Sequence, residues 1–251
     1  MKGILRWLAL AFIAAVALEV FFVARIALAA TMDPQSTSFQ RSEAWRITTQ
    51  KGKLRWRQQW LDYEQISDNL KRAVIASEDG SFSNHEGVDW EAMEKAWQRN
   101  AQAEEKAARQ QPKPTARATA SNAATAKPPR IVGGSTITQQ LAKNLLLSGE
   151  RTLLRKGQEF VLTFALEKML RKERILEIYL NSVEWGEGVF GAEAAAQHYY
   201  RKSAARLSPY EAARLAVMLP RPKYFEKLAN SGYLASRAST IVARMRGAML
   251  P

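Results

Sequence analysis

Apolar positions in this chain first form one long run, interrupted by a single charged residue, and then recur at a helical period. The run is Trp7–Ala24, which holds Glu19 as its single charge and follows Lys2 and Arg6. It covers 18 residues, which at about 1.5 Å per residue just span a hydrocarbon core of roughly 30 Å. The pattern predicts an N-terminal transmembrane helix within residues 1–30.

A cleavable signal peptide is the competing interpretation of this segment, because Ala27–Ala29 forms an A-x-A site. We favour an uncleaved anchor, since Arg25 lies just ahead of that site. Because Arg25 flanks the far end of the apolar run, the positive-inside rule only slightly favours a cytoplasmic N-terminus.

Two further stretches differ in composition from a packed domain. Residues 31–65 mix tryptophans with Lys and Arg, which is typical of a surface at lipid-headgroup level; single-stranded nucleic acid and ordinary packing remain alternatives. Residues from about 100 to 130 are rich in Ala, Gln, Thr, Lys, Arg and Pro. Such a segment builds no core, so we expect a mobile loop inserted into a domain that covers residues 66–251.

The remaining patterns predict a mainly α fold. Ser67–Ser77 carries apolar residues at helical spacing, Ser208 and Glu211 form a capping box, and Arg237–Met249 predicts a last helix. The sequence shows no convincing alternating run, so it predicts no strand.

Composition limits which functional groups and partners this chain can use. The chain has 37 Lys and Arg against 24 Asp and Glu, a formal net charge of +13, and no cysteine. Disulfides, cysteine-bound zinc and thiol catalysis are excluded. The charge suits an anionic partner: nucleic acid, an anionic membrane face or a pyrophosphate substrate.

Two adjacent acids, Glu78 and Asp79, follow the predicted helix Ser67–Ser77. Carboxylates at a helix C-terminus face the negative pole of the helix dipole, which raises their pKa and suits a general base. His85 lies nearby, but one histidine provides no metal-ligand set, so we interpret it as a hydrogen-bonded structural residue.

A second candidate region combines glycines with cations. Gly133 and Gly134 precede a Ser/Thr-capped helix, an arrangement suited to an anion. Gln140 and Lys143 lie on that helix, and the next predicted helix carries Arg151, Arg155 and Glu159 on one stripe. The cations could hold a pyrophosphate, or the stripe could be a solvated face with Arg–Glu pairs.

Both regions belong to an ordered set of motifs that resembles the peptidoglycan glycosyltransferase (transglycosylase) family of the monofunctional type. The residues that carry the resemblance are Glu78, Asp79, Phe82, His85 and Gly87; Gly133, Ser135, Thr136, Gln139, Gln140, Lys143 and Asn144; Arg155, Lys156 and Glu159; Lys172–Asn181; and Gly186–Tyr200.

The resemblance implies a lysozyme-like helical domain that polymerises lipid II by inverting glycosyl transfer, with polyprenyl pyrophosphate as the leaving group. By resemblance, Glu78 is the general base and Glu159 the second acid, which orients substrate or a metal. Lys143, Arg151 and Arg155 would neutralise the leaving group. The residues expected to shape the substrate site, with structural support as the alternative role for each, are Asp79, Phe82, His85, Thr136 and Gln140.

The resemblance also sets expectations for cofactor, partners and location. It allows a divalent cation such as Mg²⁺, although the sequence offers no dedicated metal site. The expected partners are lipid II, a lipid-linked glycan strand, the membrane and other cell-wall synthesis or division proteins, with no nucleic acid. We expect a single-pass protein of the bacterial inner membrane with a periplasmic catalytic domain. No Ser is followed three places on by Lys, so we expect no transpeptidase activity.

Two alternatives remain open from the residues. A lytic enzyme of the same fold would also use a catalytic Glu, but it would have no pyrophosphate for the QQLAKN segment and the cationic stripe to bind. A non-catalytic basic membrane protein that binds nucleic acid or wall polymer would not depend on Glu78.

Overall fold

Helices make up most of the chain in the computed structural model, which describes residues 2–110, 133–147, 149–150 and 152–251. The helices of these residues are α1 (Lys2–Ala29), α2 (Ser38–Lys51), α3 (Asp68–Glu78), α4 (Trp90–Gln110), α5 (Ile137–Leu146), α6 (Leu153–Met169), α7 (Lys172–Ser182), α8 (Ala192–Tyr200), α9 (Pro209–Met218), α10 (Pro222–Glu226) and α11 (Gly232–Met245). The predicted mainly α fold is confirmed.

A small sheet departs from the sequence prediction of no strand. Its strands are β1 (Arg57–Gln58), β2 (Glu184–Gly186) and β3 (Val189–Phe190), in the order β1-β3-β2. β1 runs parallel to β3, whereas β2 pairs with β3 in the antiparallel sense. Strands of two or three residues are too short to show an alternating pattern, which explains why the sequence gives no signal for them.

The first unit, which comprises residues 1–88 and 136–251, has one apolar core. α3, α9 and α11 pack together on one side of it, while α5 packs against α6 and α7. Several helices begin where the sequence favours a cap: Ser67, Thr136 and Ser208 each accept a hydrogen bond from the backbone of the following turn. Capping thus fixes where α3 and α5, the two helices that carry most of the candidate site, begin.

The N-terminal helix α1 has two different faces. Most of its apolar side chains are exposed, and by length and composition it is able to cross a membrane. Near its C-terminal end, Phe22, Ile26 and Ala29 are instead buried in the core of the first unit, and α1 packs against α6. The end of α1 is therefore part of the folded domain.

Residues 89–135 form the second unit, of which 89–110 and 133–135 are described. Helix α4 extends to Gln110, so residues 100–110 are helical where the sequence predicted the start of a mobile loop. The reason is that Ala, Gln, Glu, Lys and Arg, which dominate here, are strong helix formers even without a core to pack on. The rest of the predicted loop, through residue 130, lies outside the described residues.

The last helix also begins earlier than predicted. α11 starts at Gly232 behind the N-cap Ser231 and ends at Met245, whereas the sequence predicted Arg237–Met249. Leu234 and Ala238 are buried on its inner face, so the apolar stripe begins a full turn before the predicted start.

Candidate active site

Glu78 is the last residue of α3, and its partly buried carboxylate is held by neighbouring polar side chains. Gln140 Nε2, on α5, donates a hydrogen bond to Glu78 Oε2 at 3.2 Å, and Ser77 Oγ lies 3.4 Å from Glu78 Oε1. Burial raises the pKa of Glu78; the two hydrogen bonds oppose this rise and the neighbouring Asp79 adds to it. The direction agrees with the sequence argument, but burial rather than the helix pole is the main cause.

Asp79 follows directly and connects two elements. Its Oδ1 lies 2.9 Å from His85 Nε2, and its Oδ2 accepts a hydrogen bond of 2.9 Å from the backbone N–H of Ile137, the first residue of α5. The sequence predicted an anion at this helix N-terminus. The structure shows a carboxylate of the chain itself bonded to the first N–H of the helix.

His85 has both ring nitrogens engaged. The backbone N–H of Gly87 donates to His85 Nδ1 at 3.1 Å, so Nδ1 is an acceptor and the ring carries its proton on Nε2, toward Asp79. Gly87 itself has φ +86°, and a Cβ there would lie 2.8 Å from side-chain atoms of Glu167 and Thr163. Glycine is therefore required for this turn.

Phe82 and Thr136 support the site from within. The Phe82 ring has no exposed surface and packs edge-to-face with the His85 ring. The Thr136 hydroxyl donates to the Gly87 carbonyl at 2.6 Å and accepts from the backbone of Gln139 as the cap of α5. Both residues therefore contact the turn that follows Glu78 and Asp79.

Helix α6 carries the second acid. Glu159 is buried; its Oε2 lies 3.0 Å from Arg155 Nη1, and its Oε1 is bonded to Lys156 Nζ. Of the predicted cationic stripe, Arg155 and Glu159 therefore form an ion pair one helical turn apart. Arg151 lies outside the described residues. Lys143 is exposed on α5, on the same face as Gln140 and one turn further along.

The donor set does not favour a protein-bound divalent cation. Both Glu159 oxygens are already bonded to cationic side chains. Among the described residues, no group of three or more His, Asp or Glu side chains lies together in a way that could hold a metal ion. We therefore derive no step through Mg²⁺, and the predicted cation remains untested.

One residue of the site was not singled out from the sequence. Tyr179, on α7, is 1% exposed, and its hydroxyl donates to Gln140 Oε1 at 2.9 Å. It lies in the Lys172–Asn181 motif that carries part of the family resemblance. A tyrosine within an otherwise aliphatic helix face was the available signal, because a buried hydroxyl needs a partner.

A carboxylate of raised pKa at the end of α3 is hydrogen-bonded to α5, and both α5 and its neighbour α6 carry cations. This combination suits an enzyme site for acid–base chemistry at an anionic substrate. The chain belongs to the transglycosylase family: the family model described as Transglycosylase matches residues 46–109 and 110–246.

Curated relatives agree with this assignment over the whole chain. A "Biosynthetic peptidoglycan transglycosylase" of Burkholderia thailandensis is 49% identical over 100% of this chain and 90% of its own length. Proteins of the same name from Paraburkholderia phytofirmans and Burkholderia pseudomallei are 48% and 47% identical, over 99% and 100% of this chain and 95% and 90% of their own lengths. The lytic and non-catalytic alternatives are not favoured by these relatives.

The raised pKa of Glu78 predicts that Glu78→Gln is more stable than the unchanged protein at neutral pH. The folded state favours protonated Glu78. Relative to the ionised form, the protonated carboxyl of Glu78 makes the folded state more stable. This stability is fully present below the unfolded carboxyl pKa of about 4.3 and is lost as the pH rises through the folded pKa. Glutamine stays neutral throughout.

The gain in melting temperature of Glu78→Gln in detergent should therefore be small near pH 4 and larger near pH 8. Glu86→Gln, which removes an exposed carboxylate in the loop after α3, is the matched control for the loss of one acidic side chain. An equal gain at both pH values would contradict the prediction.

Proposed function

We propose that this protein joins lipid II units into peptidoglycan glycan strands by inverting glycosyl transfer, without transpeptidase activity. A hydroxyl of the acceptor sugar attacks the anomeric carbon of the lipid-linked donor, and the polyprenyl pyrophosphate leaves. The names of the full-length relatives support this activity. The observation in the structure that carries it is the partly buried Glu78 carboxylate of raised pKa, held by Gln140.

Glu78 acts in this proposal as the general base that takes the proton of the attacking hydroxyl. A base works best when its pKa approaches the working pH, and burial moves the pKa of Glu78 in that direction. The hydrogen bond from Gln140 keeps the carboxylate in one orientation. Asp79, His85 and Thr136 would then serve by fixing the turn that carries Glu78.

The pyrophosphate needs positive charge rather than a proton. Lys143 is exposed one turn beyond Gln140, and α5 packs against α6, which carries Arg155 and Lys156. These cations would stabilise charge that develops on the leaving group. Buried Glu159 would hold Arg155 and Lys156 in place, a role that differs from the metal or direct substrate contact implied by the resemblance.

A lytic reaction of the inverting kind would instead require a second carboxylate to activate water or protonate a sugar leaving group. Glu159 has both oxygens bonded to cationic side chains, which suits the positioning of those cations better than proton transfer. This contrast supports the synthetic direction.

We also propose that α1 is retained as a single-pass anchor in the bacterial inner membrane, with the catalytic domain on the periplasmic side. Cleavage at the Ala27–Ala29 site would remove Phe22 and Ile26 from the core. It would also remove Glu19, whose Oε1 accepts a hydrogen bond of 3.1 Å from Gln158 on α6. Association with other cell-wall synthesis or division proteins stays a prediction.

Glu78→Gln should lower the rate of lipid II polymerisation by about 10²–10⁴-fold, because the amide keeps the shape but accepts no proton. The rate is measured from glycan polymer formed by the detergent-solubilised full chain. Glu86→Gln should polymerise normally. Turnover of Glu78→Gln close to that of the unchanged protein would rule out the assigned base.

Lys143→Ala should lower kcat/KM for lipid II by roughly 10- to 150-fold, the equivalent of one charge-assisted contact of about 1.5–3 kcal/mol. Lys168→Ala, which removes an exposed lysine from α6, is the control for a general loss of charge. If the two variants show the same kinetics, Lys143 belongs to a solvated helix face.

Deleting residues 2–18 should lower activity on lipid II in liposomes far more than activity on detergent-dispersed lipid II. The deletion keeps the packed residues Phe22 and Ile26 but leaves too little of α1 to span a bilayer. The anchor acts by confining enzyme and substrate to one plane, which raises their effective concentration.

Intact mass of the membrane-bound protein checks the same proposal independently. A chain that begins at Ala30, or equal liposome activity with and without residues 2–18, would show that α1 is no anchor.

A further inference from the structure

Three helices contribute to one continuous line of hydrogen bonds that ends on Glu78. Tyr179 Oη on α7 lies 2.9 Å from Gln140 Oε1 on α5, and Gln140 Nε2 lies 3.2 Å from Glu78 Oε2 at the end of α3. The side-chain amide of Gln140 is thus bonded at both of its ends.

The chemistry of Glu78 and Tyr179 decides which group donates and which accepts in each of these two hydrogen bonds. A carboxylate accepts hydrogen bonds but donates none, so it requires the NH₂ end of the amide. A phenol donates its proton to the amide oxygen. Burial, together with the negative charges of Glu78 and Asp79, raises the pKa of Tyr179 well above its usual value, so the hydroxyl stays protonated.

A reversed amide would place its oxygen against the Glu78 carboxylate. It would also forfeit the bond in which the Tyr179 hydroxyl donates. In the buried surroundings of Tyr179 such unpaired groups are costly, so the two contacts select the same orientation of Gln140.

We propose that Tyr179 is a positioning residue for glycosyl transfer: its hydroxyl fixes the Gln140 amide, which in turn orients the Glu78 carboxylate toward the attacking sugar hydroxyl. This inference rests on the proposed role of Glu78 as general base. It adds a third helix to the site and gives Gln140 a role other than direct contact with substrate.

The effect on catalysis should appear in kcat and in its pH dependence. Gln140 and Ser77 hydrogen-bond Glu78, Asp79 is its charged neighbour, and the charge of Glu78 in turn raises the pKa of Tyr179. When Gln140 is no longer fixed, Glu78 loses part of a hydrogen bond that favours its ionised form. The acidic limb of the kcat profile should then move to higher pH.

The test uses the full chain in detergent with lipid II and compares Tyr179→Phe with Tyr63→Phe. Tyr63 is the matched control, because its buried hydroxyl oxygen has no hydrogen-bond partner within the described residues. Tyr179→Phe should lower kcat by about 2- to 13-fold, as expected for one hydrogen bond. It should leave KM within about twofold and shift the acidic limb upward. Tyr63→Phe should change none of these.

A double-mutant cycle separates positioning from general packing. Gln140→Met removes the amide at similar volume and should reproduce the shift of the acidic limb even if Tyr179→Phe folds poorly. In the Gln140→Met background, Tyr179→Phe should lower kcat further by less than twofold. Additive losses in the cycle, or an unshifted acidic limb in Gln140→Met, would overturn the proposal.

Glu78→Gln, measured alongside, distinguishes a failure of the proposed general base from a failure of the positioning role of Tyr179. If Glu78→Gln retains activity, the assignment of the base fails and Tyr179 loses its role with it. If Glu78→Gln is inactive while Tyr179→Phe behaves like Tyr63→Phe, only the positioning role is wrong.

Discussion

The carboxylate of Asp79 joins the end of α3 to the start of α5, and the geometry around Glu78 depends on this connection. One oxygen bonds the His85 ring, which closes the turn after α3, and the other bonds the first N–H of α5. A carboxylate at a helix N-terminus contributes up to about 2 kcal/mol when partly buried. Because Gln140 lies on that same α5, the connection also places the amide that holds Glu78.

Opposing effects act on the pKa of Glu78. Burial disfavours its charged form, whereas the hydrogen bonds from Gln140 and Ser77 favour it. For the general-base role proposed for Glu78, a carboxylate buried without these bonds would favour its protonated form more strongly, and a fully solvated carboxylate would be a weaker base. In that role, the apolar side chains around the end of α3, among them the fully buried Phe82, would contribute to the chemistry as well as to the core.

Several helix starts and the position of the Glu78–Asp79 pair could be predicted from the sequence, because they depend on local signals. Caps at Ser67 and Ser208 fix helix starts, and the adjacent Glu78 and Asp79 stand out at a helix end. Prediction failed where the partner lies far along the chain. The anion at the start of α5 is Asp79, 58 residues away, and Tyr179 meets Gln140 across 39 residues. Such pairs follow from tertiary packing, which spacing within one segment does not encode.

Helix α1 packs against α6, which carries cations of the candidate site. α6 carries Glu159 with its two cationic partners, and the next residue toward its N-terminus, Gln158, bonds Glu19 of α1. Phe22 and Ile26 add apolar contacts one to two turns further along α1. The helix proposed as the membrane anchor is thus bonded to the helix that bears Arg155 and Lys156. For the proposed lipid-linked substrate, this arrangement would fix those two cations relative to the proposed anchor.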